Sequence, residues 1–413
     1  MLDSGKGPLH PTPSECQQQT TEPVQTGRAP VDPMGSIGAI DVLRGLALFG
    51  VLTVNLITGF RVSIFQQFLV PQGPDSALDD VVKMLVNVGL ESKAFALFSF
   101  LFGVGLAIQF ERLARNPSRL RWLIRRLLVL LGVGLIHLCL IWNGDILTEY
   151  ALLGLVALPF LYLPNKALAV VSLVALGIFV VFPLVLPGNI WPSDAWIRQH
   201  VATATNVYSS GSYAQIIQFS LGEIPDLLPL HGYVAPRTVA LFLLGALAWR
   251  TGLLAYPQRH RHTLLGVAMV GLVFGLPLSL LQSPNPISPW FSWAPLISIL
   301  MLLGPIVLSL GYGATVIAAV TFSRLGSLLR LFGPLGRMAL TNYLMQSVIF
   351  GWIFFGYGLG YFDRMSAAHA MVLGLGVYAA QIIFSRWWLK RFRFGPMEWL
   401  WRTLMYGVRQ PWT

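Results

Sequence analysis

The sequence predicts an all-α membrane protein, a polytopic bundle of about ten transmembrane helices. Of its 413 residues, 55% are hydrophobic and only 11% are charged, whereas about 25% is typical of a soluble domain. The mean hydropathy is +0.66, and apolar segments long enough to cross a bilayer recur from residue 43 to residue 388. This composition excludes a soluble enzyme and a disordered chain. With only Cys16 and Cys139 present, a disulfide scaffold is excluded as well.

Ten segments have the length of a membrane helix, about 17–25 mostly apolar residues. They are residues 43–60, 93–110, 123–142, 146–163, 167–187, 237–256, 262–281, 294–319, 337–357 and 366–388. Residues 78–91 carry apolar side chains at helical spacing, which predicts a short interfacial helix. We expect a disordered cytoplasmic tail over 1–35, a transmembrane bundle over 36–389 with a long loop over 188–236, and a cytoplasmic interfacial tail over 390–413.

The distribution of lysine and arginine predicts the orientation of the bundle. With ten spans and both termini inside, the cytoplasmic segments carry 22 of the 28 basic residues and the opposite segments carry six. Basic residues accumulate in the cytoplasmic loops of membrane proteins. We therefore expect both termini in the cytoplasm and the loop over 188–236 outside, and we attribute the net charge of +11 to topology rather than to nucleic-acid binding.

Ionisable side chains inside spans mark candidate sites, because burying them in hydrocarbon is costly. In the third span His137 follows Arg126 by eleven residues, about three helical turns, so both lie on one face. Asp145 and Glu149 come at the start of the next span. Because an imidazole exchanges a proton near neutral pH, His137 is a candidate general base oriented by Asp145. The alternative is a neutral histidine bonded between helices, with Asp145 as a helix cap.

The first and ninth spans contain further candidates. Asn55 follows Arg44 by the same eleven residues, although Arg44 also lies near enough to the span's edge to snorkel. Asn342 and Gln346 share one helical face, where hydrogen bonding between helices is the first expectation and substrate contact the second. The remaining predicted substrate-binding residues are Arg337, Trp142, Glu149 and Tyr150. The histidines are scattered, so we expect neither a metal site nor a permanently bound cofactor.

Four stretches carry a family resemblance: DVLRGLALFGVLTVN (41–55), LLVLLGVGLIHLCLIWNGDILTEYALLGL (127–155), GPLGRMALTNYLMQS (333–347) and FGPMEWLWRTLMYG (394–407). Together they resemble the YeiB-like family of bacterial inner-membrane proteins, a domain of unknown function. The resemblance implies the fold and a location in the bacterial inner membrane.

A more distant resemblance concerns chemistry. The start Asp-x-x-Arg-Gly, with an asparagine eleven residues after the arginine, is similar to the first helix of heparan-alpha-glucosaminide N-acetyltransferase. That enzyme belongs to a superfamily of membrane acyltransferases that use cytosolic acyl-CoA. By position, Arg44 and Asn55 match the pattern. The histidine that follows the asparagine in that enzyme is absent from residues 56–77, and His137 is the natural substitute.

These resemblances imply an acyltransferase-like protein that moves an acyl group from cytosolic acyl-CoA, as a co-substrate, to an extracytoplasmic or lipid-linked acceptor. Arg44, Arg126 and Arg337 would face the donor phosphates, and Asn55 would lie near the developing oxyanion. The alternatives are a small-molecule transporter or exporter, which ten spans with polar residues at mid-depth fit equally well, and a sensor or accessory subunit. The expected partners are membrane lipids and a small-molecule, glycan or lipid substrate, without nucleic acid.

Overall fold

The computed structural model describes residues 33–69, 76–185, 192–281 and 295–413, and no β-strand occurs among them. The helices are α1 (Pro33–Asn55), α2 (Ala77–Gly89), α3 (Lys93–Arg112), α4 (Arg119–Leu140), α5 (Leu147–Ala157), α6 (Asn165–Val185), α7 (Asp194–Ser210), α8 (Tyr213–Arg250), α9 (Arg261–Leu280), α10 (Pro295–Phe322), α11 (Gly326–Leu329), α12 (Gly333–Arg337), α13 (Ala339–Phe354), α14 (Ala367–Leu389) and α15 (Pro396–Tyr406). Of the predicted tail over 1–35, residues 1–32 lie outside the described ranges, and 33–35 begin α1.

Eight helices in the described part of the chain are long and apolar enough to cross a membrane. They are Gly38–Phe60, Ala77–Arg112, Arg119–Leu140, Asn165–Pro183, Tyr213–Arg250, Pro257–Leu280, Leu296–Phe322 and Ala367–Leu389. The other two predicted spans correspond to α5 and α13, which are shorter than expected. A 3₁₀ segment beginning at Pro159 ends α5, and α13 ends just before the glycine-rich stretch that follows Phe355.

Apolar side chains cover the outer faces of the bundle. Leu173 on α6 is 63% exposed, Phe274 on α9 is 61% exposed, and Ile383 on α14 is 70% exposed. Amide side chains point inward instead, as Asn342 and Gln381 do. A surface this apolar with polar groups inside suits a hydrocarbon environment. Together with the eight apolar helices, it identifies the chain as a membrane protein.

The segment predicted as a long loop, 188–236, is largely helical. It contains α7 and the first part of α8, which continues without interruption into the predicted span at Arg237. The carboxyl-terminal segment also forms a helix, α15, which is fixed to α13 by Glu398. Its carboxylate accepts hydrogen bonds from the backbone nitrogens of Leu340 (2.8 Å) and Thr341 (3.1 Å) and from the Thr341 hydroxyl (2.6 Å). Burial raises the pKa of Glu398.

A reciprocal glycine contact brings α3 and α8 together. A Cβ placed at Gly103 would lie 2.0 Å from the Phe242 carbonyl oxygen, and one at Gly245 would lie 2.0 Å from the Phe100 carbonyl oxygen. Small residues at such positions let the backbones of two membrane helices approach closely. This contact fixes the register between the two helices, and α8 supplies much of the candidate site described below.

Replacing Gly245 with valine is therefore expected to destabilise the bundle by at least the 1–3 kcal/mol that is typical of overpacking. The physical reason is that the obstructing atoms belong to the backbone and have no alternative rotamer. Thermal unfolding in detergent measures the effect. Gly132→Val on α4 is the matched control, because a Cβ there meets no atom within 4 Å. Equal melting temperatures for the two variants would contradict the packing described here.

Candidate functional site

A cavity of about 260 Å³, lined by both polar and apolar side chains, lies among α1, α3, α5, α8 and α10 and the turn between α4 and α5. Five residues predicted from the sequence line it: Asn55, Trp142, Asp145, Glu149 and Tyr150. The fold thus brings residues from three separate predicted spans and one turn together in the wall of this cavity. It leaves the other predicted site residues outside the cavity wall.

His137 and Asp145 form a buried pair behind this wall. His137 Nδ1 lies 2.8 Å from Asp145 Oδ1, and both side chains are completely shielded from solvent. The other Asp145 oxygen accepts a 2.6 Å hydrogen bond from the Thr148 backbone nitrogen. Within the described ranges, Nε2 of His137 has no hydrogen-bond partner. A neutral imidazole that donates from Nδ1 carries its lone pair on Nε2, so the pair can accept a proton. Asp145 is the member that lines the cavity.

The turn that carries Asp145 is held by aromatic packing. The Trp142 ring stacks on Phe60 at 4.2 Å. A Cβ at Gly144 or at Gly59 would lie 2.4 Å or 2.6 Å from the Trp142 ring, so the indole is held closely between two glycines. The Trp142 side chain therefore stabilises the turn by packing inside it, and it also forms part of the cavity wall.

A hydrogen-bonded network around Glu223 fixes the same turn from the outside. The Glu223 carboxylate accepts from Asn143 Nδ2 (2.8 Å) and the Tyr208 hydroxyl (2.5 Å) and contacts His200 Nε2 at 2.7 Å. Burial and the Glu223 charge raise the pKa of Tyr208 well above its usual value, so Tyr208 remains a donor. Through Asn143, this network connects α7 and α8 to the turn that positions Asp145.

A third histidine–carboxylate pair, after His137–Asp145 and His200–Glu223, lies directly in the cavity. His231 Nδ1 lies 2.9 Å from Glu149 Oε2, and the Thr238 hydroxyl donates to Glu149 Oε1 at 3.1 Å. The His231 side chain is 37% exposed, in contrast to His137. Next to this pair, the Tyr150 hydroxyl lies 2.8 Å from the Ser99 hydroxyl.

Arginines gather at the other end of α4, which we call the arginine end and define by Arg44, Arg126, Arg337 and Arg402. Arg126 is buried and lies within electrostatic range of Arg402 and Arg44. Its Nε has no hydrogen-bond partner among the described residues, and its guanidinium lies 4.7 Å from the Trp401 ring on α15. Arg44 pairs with Asp41 at 2.7 Å, and Arg337 contacts the Arg393 carbonyl oxygen at 3.4 Å.

Asn342 and Gln346 are part of the contact between α13 and α14, away from the cavity. Asn342 Nδ2 donates to the Ser385 hydroxyl (2.9 Å), and Gln346 Nε2 donates to Gln381 Oε1 (2.8 Å). Gln381 Nε2 in turn donates to the Asn342 carbonyl oxygen (3.0 Å). The geometry is that of hydrogen bonding between helices, the first of the two expectations for these residues.

Sequence reasoning missed three residues of this region: Glu223, His231 and Arg237. Glu223 and His231 fall in the segment predicted as a loop, and Arg237 marked the predicted edge of a span. All three belong to the single long helix α8, which places His231 and Arg237 in the cavity wall. The sequence did not predict α8 as one continuous helix because it contains prolines, and proline normally interrupts a helix.

Comparisons with known proteins place the chain among relatives of unknown function. Residues 248–408 match the family described as protein of unknown function (DUF418). The chain is 36% identical over 400 residues to the uncharacterized protein YxaH of Bacillus subtilis (strain 168), an alignment that covers 91% of this chain and 95% of that protein. The chain belongs to the DUF418 family. This DUF418 protein is also 30% identical over 391 residues to the uncharacterized protein YeiB of Escherichia coli (strain K12), with 90% and 97% covered. No solved structure matches it.

Proposed function

We propose that this DUF418 protein is a membrane acyltransferase that moves an acyl group from cytosolic acyl-CoA to an extracytoplasmic or lipid-linked acceptor. The observation that carries the proposal is the buried His137–Asp145 pair, in which one ring nitrogen is fixed and the other is free. Such a pair is a typical general base, since the carboxylate fixes the imidazole and stabilises its protonated form.

The arginine end supports the assignment of an anionic donor. Arg126 is a buried cation with positive neighbours, and in the described chain it has no carboxylate within ion-pair distance. The Arg126 guanidinium donates a hydrogen bond to the Gly105 carbonyl oxygen at 3.4 Å, which supplies no negative charge. A buried cation without an opposite charge is costly, and a guanidinium matches the geometry of phosphate oxygens. The phosphates of acyl-CoA would supply that opposite charge. By the distribution of basic residues, this end faces the cytoplasm.

In the proposed reaction the acceptor lies in the cavity. Its O–H or N–H proton enters the His137–Asp145 pair at the Asp145 carboxylate, which lines the cavity, and the pair holds it as a unit. The acceptor oxygen or nitrogen then bonds to the thioester carbonyl carbon, the carbon–sulfur bond breaks, and the thiol of CoA leaves with the proton that the pair returns. Asn55 lies on the cavity wall and would donate a hydrogen bond to the carbonyl oxygen as negative charge develops.

The direct test is binding of radiolabelled acyl-CoA to the purified protein in detergent, followed by a search for label on another molecule after addition of membrane lipids and cell extract. We expect saturable binding and transfer of the label, with release of free CoA thiol in equal amount. Absence of acyl-CoA binding would overturn the proposal.

A specific observation favours a transporter as the second candidate. The helix α8 contains Pro225, Pro229 and Pro236, and α1 continues into a π-helical turn at Leu56–Phe60; both irregular segments border the cavity. Membrane helices with internal prolines or irregular turns around a binding site are typical of transporters. Uptake of an unmodified ligand into liposomes, without release of CoA thiol, would select this function.

The orientation used here predicts opposite accessibility for two exposed serines. Ser210 lies at the end of α7 and Ser323 follows α10. In a chain without native cysteines, we expect Ser210→Cys to react with a membrane-impermeant thiol reagent on intact cells, and Ser323→Cys to react only after permeabilisation. Labelling of Ser323→Cys alone in intact cells would contradict this orientation.

A further inference from the structure

Arg237 is a cation at the cavity that has no carboxylate partner among the described residues. Its side chain lines the cavity, and its buried Nε has no partner among the described residues. The nearest aromatic contact places its guanidinium carbon 5.6 Å from the centre of the Phe179 ring. A guanidinium offers five N–H donors, and leaving them unmet in a buried site is costly.

The carboxylates that line the cavity are already engaged with other groups. Glu149 accepts from Thr238 and pairs with His231, while Asp145 pairs with His137. The third lining carboxylate, Glu91, accepts a hydrogen bond from Asn87 Nδ2 at 3.3 Å. The charge of Glu149 interacts electrostatically with Arg237. Within the described ranges, however, no carboxylate oxygen lies within 4.0 Å of the Arg237 nitrogens. In the described part of the chain, the cavity therefore presents a guanidinium whose Nε has no hydrogen-bond partner and whose nitrogens have no carboxylate at ion-pair distance.

Arg237 lies in the interior of α8, far from both ends of the helix. It lies thirteen residues before Arg250 at the end of α8, which corresponds to about 20 Å along the helix axis. Arginines that snorkel lie near helix ends, where the head reaches the interface. A charged residue in the interior of a membrane helix usually faces a functional cavity, and that is where Arg237 lies.

We propose that Arg237 anchors a phosphate or carboxylate group of the molecule that occupies the cavity. The planar fork binds two oxygens of such a group at once, which an ammonium does not. His231, held by Glu149, lies in the same wall and offers a further hydrogen bond. The cavity of about 260 Å³ is smaller than the roughly 300–1,000 Å³ of drug-sized sites, so it accepts a headgroup or a small metabolite rather than a whole nucleotide donor. The inference holds for an enzyme and for a transporter.

Matched pairs of anionic and neutral probes test the site in the full-length protein in detergent. Glycerol 3-phosphate against glycerol, and propanoate against propanamide, represent free ligands. Dihexanoyl phosphatidic acid against dihexanoylglycerol represents a lipid headgroup. We expect at least one anionic member to raise the melting temperature and to bind at least tenfold more tightly than its neutral counterpart. The pair that responds most strongly identifies the source of the anion.

Variants assign the effect to Arg237. We expect Arg237→Gln to lose the preference for the anionic probe and Arg237→Lys, which keeps the charge without the fork, to weaken binding about tenfold. The exposed Arg364→Gln is the control and should bind as the unmodified protein does. Should Arg237→Gln fail to fold, Arg237→Lys decides. An unchanged preference in a folded Arg237 variant, or no preference in the unmodified protein, would overturn the proposal.

The same variants separate this inference from acyl transfer. Arg237 lies in the cavity and not at the arginine end, so Arg237→Gln should bind acyl-CoA as the unmodified protein does. If the protein binds anionic probes through Arg237 but no acyl-CoA, the anion site stands and the acyltransferase proposal fails. If Arg237→Gln loses acyl-CoA and no anionic probe binds the unmodified protein, Arg237 belongs to the donor site and this inference fails.

Discussion

Replacing His137 with glutamine is expected to lower acyl transfer by roughly 10²–10⁴-fold, the usual contribution of general acid–base catalysis, while the protein still folds. Glutamine can donate a hydrogen bond to Asp145, so the buried carboxylate keeps a partner. It cannot hold a proton at neutral pH, and the reaction loses its base. Transfer of label from acyl-CoA, measured beside the melting temperature, checks both parts of the expectation.

Two further variants complete this test. His369→Gln, on an exposed residue at the start of α14, is the matched control and should keep full activity. His137→Ala leaves the Asp145 carboxylate buried without its imidazole, and breaking a buried pair in this way costs about 3–5 kcal/mol, so we expect that variant to be unstable as well as inactive. Full activity in His137→Gln would show that His137 is structural.

Removing the charge of Arg126 should weaken acyl-CoA binding by about tenfold to a hundredfold, with a smaller loss for Arg337→Gln. A hydrogen bond between a charged donor and a phosphate contributes about 1.5–3 kcal/mol, and each 1.4 kcal/mol is tenfold in affinity. Arg126 is buried beneath Trp401, whereas Arg337 is exposed and its contact is partly screened. Equilibrium binding of labelled acyl-CoA measures both losses.

The free protein provides an independent check of the same interpretation. Because Arg126 is a buried cation among other arginines, Arg126→Gln should leave the melting temperature unchanged or raise it while acyl-CoA binding is weakened. The control Arg364→Gln should alter neither quantity. A lower melting temperature with undiminished acyl-CoA binding would assign Arg126 a structural role.

Local features of the site could be predicted from the sequence because they depend on helical geometry. His137 and Asp145 are eight residues apart, and the end of one helix followed by a short turn is sufficient to bring them together. Asn342 and Gln346 were correctly placed on one face. Which helix that face meets depends on the packing of the whole bundle, and the structure shows that it is α14.

Contacts between distant segments could not be predicted. His231 and Glu149 are separated by 82 residues, and Arg126 meets Trp401 across 275 residues. Helical periodicity indicates which residues share a face but not which faces pack together. The helices α5 and α13 are shorter than the predicted spans for a related reason, since hydropathy continues past the point where Pro159 or the glycines after Phe355 end the helix.

Sidedness of the reaction in reconstituted vesicles tests the central claim most directly. Vesicles that expose the arginine end and vesicles of the opposite orientation receive labelled acyl-CoA on the outside only. We predict release of CoA thiol and labelled product in the first preparation, strong reduction with His137→Gln, and none in the second preparation. Equal CoA release from both orientations, or activity that does not change with His137→Gln, would contradict the account.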